Sequence, residues 1–401
     1  KVEMASAEGW IQRLLQGGHS RETNALLVHG GLAAFFIVFW RKKRPIRIWI
    51  DGCYDLTHFG HYNAFRQAKA LGDHLIVGLN PDIEVIKYKG SAPVNTDQER
   101  YEAVKACKWV DEVVRDVPYV LDEQYLHDFV FGKMKCDFVV HGDDPCLDQN
   151  GNDVFASSKA AGKYKEIKRT EGVSTTDLLG RMLHVTQSKT NSSLGSAGIR
   201  EGAGFVNFLP TSRRISEFSS NRQPKAGDRI VYVDGAYDLF HRYHIDFLRK
   251  ARSLGDFLIV GVHKDEEVNK YKGYAFPVMN LIERVLAVLS CRYVDEVIIG
   301  APWEVTQDLL NTFNVSIVAH GSFYDTTLGG PRDYDLAYRV PKESGIFHEL
   351  ESDCAQGDLQ TVSTILERVE TQREEMAAKF EKKSKAEKNY YENQKTYVQE
   401  T

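Results

Sequence analysis

The chain has 401 residues, of which 42% are hydrophobic and 27% charged, and its formal net charge is −5 at pH 7. This length suits two or three domains of an ordinary globular protein. The negative net charge gives no indication of a nucleic-acid partner. The six cysteines show no paired spacing, which predicts free thiols in a reducing compartment.

The N-terminal part of the chain contains a hydrophobic segment. Residues 1–24 form a tail without a clear period, residues 25–40 read ALLVHGGLAAFFIVFW, and four basic residues come next. The apolar run is shorter than the ~20 residues that usually span a bilayer. The basic flank favours a cytosolic side for the rest of the chain. We expect residues 25–44 to be a membrane anchor, with cytosol-facing domains at the endoplasmic reticulum or mitochondrial outer membrane. The alternatives are a buried helix, a secretory signal, and a helix lying in the membrane plane or against a partner.

Strand patterns alternate with helix patterns across residues 45–186. Strands are predicted at 47–50, 74–78, 112–114, 138–141 and 164–167, and helices at 62–71, 97–107, 122–133 and 157–161. This alternation predicts βαβ units with right-handed crossovers, and therefore a Rossmann-like, doubly wound parallel sheet of the α/β class. Ligands of such sheets bind beyond the carboxyl ends of the strands.

The second half of the chain repeats the first. A linker at 187–226, rich in Ser, Asn, Gly and Arg, is predicted to be flexible. The segment IVYVDGAYDLFHRYH at 230–244 then copies 47–61, so that His58 returns as His241, 183 residues later. A repeat of this length indicates a duplicated domain, at 227–370. The highly charged residues 371–401 are predicted to form a solvated helical tail.

The turn after the first strand carries two histidines, His58 and His61, on either side of Gly60. A strand, a turn and a helix in this order place backbone N–H groups and the positive end of a helix dipole at one point, which suits an anion. Imidazoles there are suited to donating hydrogen bonds to phosphate and stabilising transition-state charge. Gly60 permits close approach. The alternatives are a solvated helix face and a metal pair, but no third ligand occurs at a sensible spacing.

Two motifs resemble a known family. GCYDLTHFGH at 52–61 and RTEGVSTT at 169–176 resemble the signatures of the cytidylyltransferases, which belong to the HxGH nucleotidyltransferases. The tandem duplication resembles the ethanolamine-phosphate cytidylyltransferases, and the resemblance covers about residues 46–370. It implies an enzyme that uses CTP and phosphoethanolamine to make CDP-ethanolamine and pyrophosphate for phosphatidylethanolamine synthesis, with Mg²⁺ accompanying CTP. A homodimer is left open.

Two other functions are alternatives to this one. The first is a choline-phosphate cytidylyltransferase, but the charged C-terminal tail lacks the apolar face of that enzyme's lipid-sensing helix. The second is a non-catalytic nucleotide-sensing scaffold. The complete motif set of the first half argues against it.

The resemblance assigns roles to residues of the first half. The catalytic set is His58, His61, Lys89 and Arg169, in which Lys89 bridges phosphates and Arg169 offers a planar fork. The nucleotide-binding set is Gly52, Cys53, Tyr54, Asp55, Lys87, Asp111, His141, Gly142, Asp144, Thr170, Ser174 and Thr175. Alternatives stay open: an exposed surface position for Lys89, simple helix capping for Ser174 and Thr175, and structural roles for Asp55 and Asp144. No dedicated metal motif is visible.

The copy of this site in the second half is degenerate. Tyr243 replaces the glycine at Gly60, and no arginine matches Arg169. We expect this half to fold alike and pack against the first, and to bind cytidine nucleotide weakly without turnover. The residues expected at this second site are Val233, Asp234, His241, His244, Lys272, His320, Gly321, Ser363 and Thr364.

Overall fold

The computed structural model describes residues 44–143, 153–170, 172–190, 211–273, 275–322, 334–351 and 360–397. The predicted N-terminal tail and nearly all of the predicted anchor lie outside these ranges. The chain from Ile46 onward forms one compact unit. Within the described residues, no helix is both long and apolar enough to cross a membrane.

The first half of this unit is built on five parallel strands in the order β3-β2-β1-β4-β5. Their bounds are β1 Arg47–Gly52, β2 His74–Leu79, β3 Glu112–Val114, β4 Phe138–Gly142 and β5 Tyr164–Ile167. β1 is the central strand, with Ile48 and Trp49 fully buried because helices cover both faces of the sheet. The strand order reverses between β1 and β4, so the ligand crevice is expected beyond these two strands.

Helices connect these strands. They are α1 Phe59–Lys69, α2 Asp82–Lys89, α3 Asp97–Lys105, α4 Glu123–Tyr125 with a π-helix at Leu126–Lys133, α5 Ala156–Ala160 and α6 Thr175–Thr190. Helix α3 begins with a reciprocal pair of caps, in which Thr96 accepts from the Glu99 N–H and Glu99 accepts from the Thr96 N–H.

The second half repeats this architecture, with the strand order β8-β7-β6-β9-β10. Its strands are β6 Ile230–Gly235, β7 Phe257–His263, β8 Glu296–Ala301, β9 Val315–Gly321 and β10 Phe347–Leu350. Two tandem Rossmann-like doubly wound sheets are therefore confirmed. Helix α7, Thr211–Phe218, precedes this half. The helices within it are α8 Arg242–Ser253, α9 Asp265–Lys272, α10 Leu281–Ser290, α11 Gln307–Thr312, α12 Tyr334–Ala337, α13 Arg339–Glu343 and α14 Val362–Thr371.

Each half contains the same buried arginine brace. Arg100 is fully buried, and its guanidinium donates to the carbonyls of Cys53 and Asn80 and pairs with Asp82 at 2.6 Å. Arg284 makes the equivalent set of bonds in the second half. Through these bonds Arg100 ties the helix after β2 to the turn after β1, and it does not line the cavity described below.

The two halves share one hydrophobic core and exchange hydrogen bonds related by an approximate two-fold. The Lys108 N–H donates to the Ser290 carbonyl, and the Arg292 N–H donates to the Ala106 carbonyl, both at 2.9 Å. These bonds join the segments that come after α3 and α10. The second half therefore packs against the first through backbone pairing as well as side chains.

Two ion pairs cross this boundary in opposite directions. Arg181 on α6 of the first half forms a bidentate pair with Glu283 of α10, at 2.7 and 3.0 Å. Arg368 on α14 of the second half does the same with Glu99 of α3, at 2.6 and 2.9 Å. A late helix of each half, α6 or α14, is thus ion-paired with the glutamate that caps a helix of the other half.

Within the described residues, part of the predicted flexible linker and part of the predicted solvated tail are packed against the rest of the chain. Helix α7 lies inside the predicted linker, and Phe218 is fully buried with its ring 5.1 Å from that of Trp109. Helix α15, Arg373–Tyr397, forms the predicted charged tail, but Met376 is only 1% exposed. The polar and charged composition of these stretches gave no sign of this packing, because only a few apolar side chains, such as Met376 and Phe380 in α15, make the contacts.

Candidate active site

A cavity of about 480 Å³ opens beyond the carboxyl ends of β1, β4 and β5. It lies at the switch point of the first sheet, where the sequence predicts a ligand. The predicted site residues that line it are Gly52, Cys53, Tyr54, Asp55, His58, His61, Lys89, His141, Gly142, Arg169, Thr170, Ser174 and Thr175.

The two histidines form the start of α1. His58 is its N-cap, and its Nδ1 accepts from the Gly60 N–H at 3.1 Å, while Nδ1 of His61 accepts from the His58 N–H at 3.5 Å. The rings stack with their centroids 4.0 Å apart. Because each Nδ1 is an acceptor, the proton of each neutral ring is on Nε2. Both imidazoles are therefore set to donate from Nε2.

The glycine between them is required by the approach of the His58 ring. A Cβ on Gly60 would lie 2.9 Å from both Cε1 and Nδ1 of that ring and 3.0 Å from Val173. Real Cβ atoms essentially never come so close, so a larger residue would displace the ring or the neighbouring strand-to-helix turn. The turn itself holds Tyr54 and Leu56 at φ values of 51° and 46°. Such left-handed backbone in non-glycine residues stores strain, which clusters at functional sites.

The pKa values of both histidines lie below the ordinary value. Burial, followed by the neighbouring His61 and Arg169, holds the pKa of His58 well below 6.5. Burial, Lys89 and Arg169 lower the pKa of His61 to about 3. The rings are therefore neutral donors at pH 7, in surroundings that favour an anion over a further cation.

The phosphate-motif residues meet at the start of α6. Ser174 Oγ accepts from the Asp177 N–H at 3.0 Å, as a helix cap does, and Thr175 Oγ1 lies 3.4 Å from the Asp55 carbonyl. Thr170 accepts from the Asn63 amide at 2.9 Å. The N-terminus of α6 therefore faces the same cavity as that of α1, so two helix dipoles converge on one space.

Asp55 lines the cavity but uses its carboxylate to fix the turn. Its two oxygens accept from the N–H groups of Val94 and Asn95, each at 2.9 Å. Asp238 accepts in the same way from two backbone N–H groups of the second half. This arrangement agrees with the bracing alternative for Asp55.

Three predicted site residues do not contribute to the described cavity. Lys87 is 61% exposed at its side chain and lies 3.8 Å from Glu84. Asp111 sits at the amino ends of the strands, where its carboxylate binds Lys69 at 2.6 Å and the Leu75 N–H at 2.7 Å. Asp111 is thus at the edge of the sheet opposite the cavity. Asp144 lies outside the described residues.

Comparison with known proteins matches both halves. The cytidylyltransferase-like family matches residues 49–181 and 232–350. The ethanolamine-phosphate cytidylyltransferase of Arabidopsis thaliana is 46% identical over 377 residues, which cover 89% of this chain and 88% of that protein. The enzymes of the same name from Dictyostelium discoideum and Mus musculus are 46% and 43% identical, cover 88% of this chain, and are themselves covered over 98% and 93% of their lengths.

The chain belongs to the ethanolamine-phosphate cytidylyltransferase family.

Some cavity-lining residues lie outside the family motifs and were not predicted. The basic ones are Lys168, next to a predicted motif, and Lys379 and Lys383 of α15, about 200 residues further along the chain. No local signal distinguishes Lys379 and Lys383, because their neighbours in the chain are equally rich in lysine and glutamate.

An acidic lining residue, Asp51 at the carboxyl end of β1, was also not predicted. Its Oδ1 accepts from Trp49 Nε1 at 3.0 Å, and burial raises its pKa to about 6, against the lowering effects of His141 and that hydrogen bond. Asp51 is therefore mostly ionised at pH 7 and partly buried, with no Lys or Arg salt bridge in the part of the chain that the structure describes. Such a carboxylate is suited to an incoming cation. The sequence signal that could have indicated Asp51 is its position directly before the motif at 52–61.

The corresponding space in the second half of this family member is much smaller. A cavity of about 40 Å³ is lined by the predicted residues Asp234, Lys272 and His320, together with aromatic rings. A Cβ on Gly321 would lie 3.3 Å from the Tyr243 hydroxyl, so this phenol reaches the counterpart of Gly142. The residue that replaces Gly60 thus fills space that is open in the first half.

The other residues predicted for the second site do not line this small cavity. His241 and His244 stack with centroids 3.8 Å apart, Val233 is fully buried in the core, and Ser363 and Thr364 lie in the first turn of α14.

Proposed function

We propose that this protein transfers the cytidylyl group of CTP to phosphoethanolamine, giving CDP-ethanolamine and pyrophosphate. One observation carries the proposal: a single cavity combines an anion-binding wall, made by two helix N-termini, Lys89 and Arg169, with the partly buried carboxylate of Asp51. A substrate with a phosphate at one end and an ammonium at the other matches these two features. The shared names of the full-length relatives support the same activity.

In the reaction, a phosphate oxygen of phosphoethanolamine attacks the α-phosphorus of CTP. A P–O bond forms there, and the bond from the α-phosphorus to the bridging oxygen breaks, so that pyrophosphate leaves. Because nucleophile and electrophile are both anionic, positioning and charge stabilisation are the main tasks of the protein. His58 and His61 donate from Nε2 to phosphate oxygens, while Lys89 and Arg169 offset the charge on the triphosphate and the leaving group.

We propose that Mg²⁺ enters as part of the substrate, in its complex with CTP. Phosphate oxygens and water are the ligands that Mg²⁺ ordinarily keeps in nucleotide sites. The described residues contain no group of three or more His, Cys, Asp or Glu side chains placed to hold a metal. The cations of the cavity wall and the metal would then act on the same triphosphate charge.

Asp51 favours an ethanolamine substrate over the choline alternative. A primary ammonium donates hydrogen bonds to a carboxylate, whereas a quaternary ammonium has no N–H to donate and is usually held by aromatic faces. Replacing Asp51 by asparagine should raise KM for phosphoethanolamine by ~10–100-fold, the effect of losing a hydrogen bond to a charged group. KM for CTP should change little. Pyrophosphate release with ethanolamine, choline and glycerol phosphates measures both the preference and its loss.

Asp128 provides the matched control, because its side chain is 64% exposed on the π-helix. Asp128→Asn should leave both KM values unchanged. Equal turnover of choline phosphate by the unaltered protein would contradict the assignment to ethanolamine, and no turnover of any of the three would favour the scaffold alternative.

We also propose membrane attachment through residues 25–44, on the strength of the apolar run and its basic flank. Deleting residues 1–44 should move the protein from the membrane pellet to the supernatant without loss of soluble activity, as measured by fractionation and pyrophosphate release. If the truncated protein were found in the membrane pellet as much as the unaltered protein, the membrane attachment would lie in another part of the chain. Orientation towards the cytosol at the endoplasmic reticulum or mitochondrial outer membrane, and a homodimer, stay predictions.

A further inference from the structure

The C-terminal helix of the chain reaches the active-site cavity of the first half. Lys379 and Lys383 of α15 both line it, although α15 comes after the last helix of the second half. Lys379 Nζ also donates to the Ala92 carbonyl at 3.3 Å, in the loop that precedes α3. The two lysines are one helical turn apart, so both project from the same side of α15.

Packing along α6 fixes the position of α15. The Arg373 guanidinium donates to Thr186 Oγ1 at 2.8 Å and to the Leu183 carbonyl at 3.1 Å, near the far end of α6. The Phe380 ring then lies against Gly180, where an added Cβ would be 2.6 Å from its Cε2. The helices therefore run antiparallel, and the next turn of α15 arrives at the N-terminus of α6, where the phosphate motif ends.

The position reached by Lys383 is already cationic. Lys383 is partly buried beside Lys89 and Lys379, and burial followed by these two charges lowers its pKa to about 8. Within the described ranges no carboxylate forms an ion pair with Lys383 or Lys89, and the nearby Asp55 carboxylate is occupied by two backbone N–H groups. Three ammonium groups that have no ion-paired carboxylate among the described residues are stabilised when a polyanion binds among them.

We propose that Lys379 and Lys383 bind the triphosphate of CTP and the pyrophosphate formed from it. The second half, through its C-terminal extension, thereby completes the active site of the first. This inference rests on the proposed function, and it gives the second half a role in catalysis that does not require a second CTP site.

The test compares two double variants of the full chain. Lys379→Ala/Lys383→Ala should raise KM for CTP by ~10–100-fold while KM for phosphoethanolamine stays within about twofold. Lys382→Ala/Lys385→Ala removes two exposed lysines from the same helix and should leave both constants unchanged. Equal thermal transitions and circular dichroism in both variants verify folding. An unchanged KM for CTP in the first variant would overturn the inference, and so would an equal rise in the second.

A pH profile separates binding by Lys383 from a structural role. In the free protein, kcat/KM for CTP should fall as pH rises through about 8, because Lys383 loses its proton there. Lys383→Arg should keep most of the affinity for CTP of the unaltered protein. Its kcat/KM for CTP should no longer fall near pH 8, since arginine stays protonated. A fall near pH 8 that persists in Lys383→Arg would contradict the assignment. The titratable and charged groups facing Lys383 are Lys89, Lys379, Cys53, Asp55 and His61.

Calorimetric titration with CTP alone distinguishes the two proposals. If the unaltered protein neither binds CTP nor forms CDP-ethanolamine, the proposed function fails. If it does both and Lys379→Ala/Lys383→Ala binds CTP equally well, only the inference about α15 fails.

Discussion

Replacing His58 or His61 by alanine is expected to reduce kcat by ~10²–10³, the loss that results from removing one preorganised donor to a developing charge. Each ring accepts a backbone N–H at Nδ1 and so presents Nε2–H to the cavity. Because the pKa values of both rings are lowered, both rings are neutral hydrogen-bond donors. They add no positive charge to the basic cavity wall. Pyrophosphate release at saturating CTP and phosphoethanolamine measures the loss.

Two comparisons sharpen this experiment. His127 is 85% exposed at its side chain, so His127→Ala should turn over normally. His58→Ala/His61→Ala should have no activity above background if the second half performs no chemistry. Near-normal turnover by either single variant would refute a role in catalysis, and substantial activity in the double variant would assign turnover to the second half.

Replacing Arg181 by alanine is expected to destabilise the protein by ~3–5 kcal/mol, because it leaves Glu283 as an unpaired buried charge. The side chains of Arg181 and Glu283 are 10% and 4% exposed. The guanidinium also donates to the Val278 carbonyl at 3.2 Å, and that bond is lost as well. Denaturant unfolding, followed by fluorescence and circular dichroism, measures the change.

A double variant tests whether the loss of stability arises from breaking the ion pair. Arg181→Met/Glu283→Leu removes both charges and should recover much of the stability, since apolar side chains of similar size often replace a buried ion pair without loss. Arg213→Ala is the surface control: its side chain is 78% exposed in a pair with Glu217, and such pairs contribute less than about 1 kcal/mol. A loss no larger in Arg181→Ala than in Arg213→Ala would show that the pair does not hold the halves together.

The same ion pairs explain why the halves are not expected to behave as separate domains. Helix α6 binds Glu283 of the second half, and α14 binds Glu99 of the first. Both glutamates also accept a backbone N–H at the start of their own helices as caps. Each ion pair therefore couples the start of a helix in one half to a late helix of the other half. We expect the two halves to unfold in a single cooperative transition.

Features that depend on local patterns could be predicted from the amino-acid sequence. Strand and helix periods placed all five strands of the first sheet, because a parallel sheet buried on both faces requires apolar runs at regular intervals. The repeat between His58 and His241 established the duplication. The motifs placed most of the predicted site at one sheet edge, since the carboxyl ends of parallel strands meet there. Gly60 was also part of a local pattern, and its lack of a side chain admits the His58 ring.

Which distant groups share that space depends on tertiary packing. Asp111 resembled a site residue but lies at the opposite edge of the sheet, because its carboxylate caps the start of β2 and its partner Lys69 ends α1. Lys383 resembled any lysine of a charged tail. Its place in the cavity depends on Phe380 packing against Gly180, a contact between residues 200 apart that no local pattern encodes. Spacing along the chain fixes neighbours within an element, whereas packing between elements fixes which charges meet.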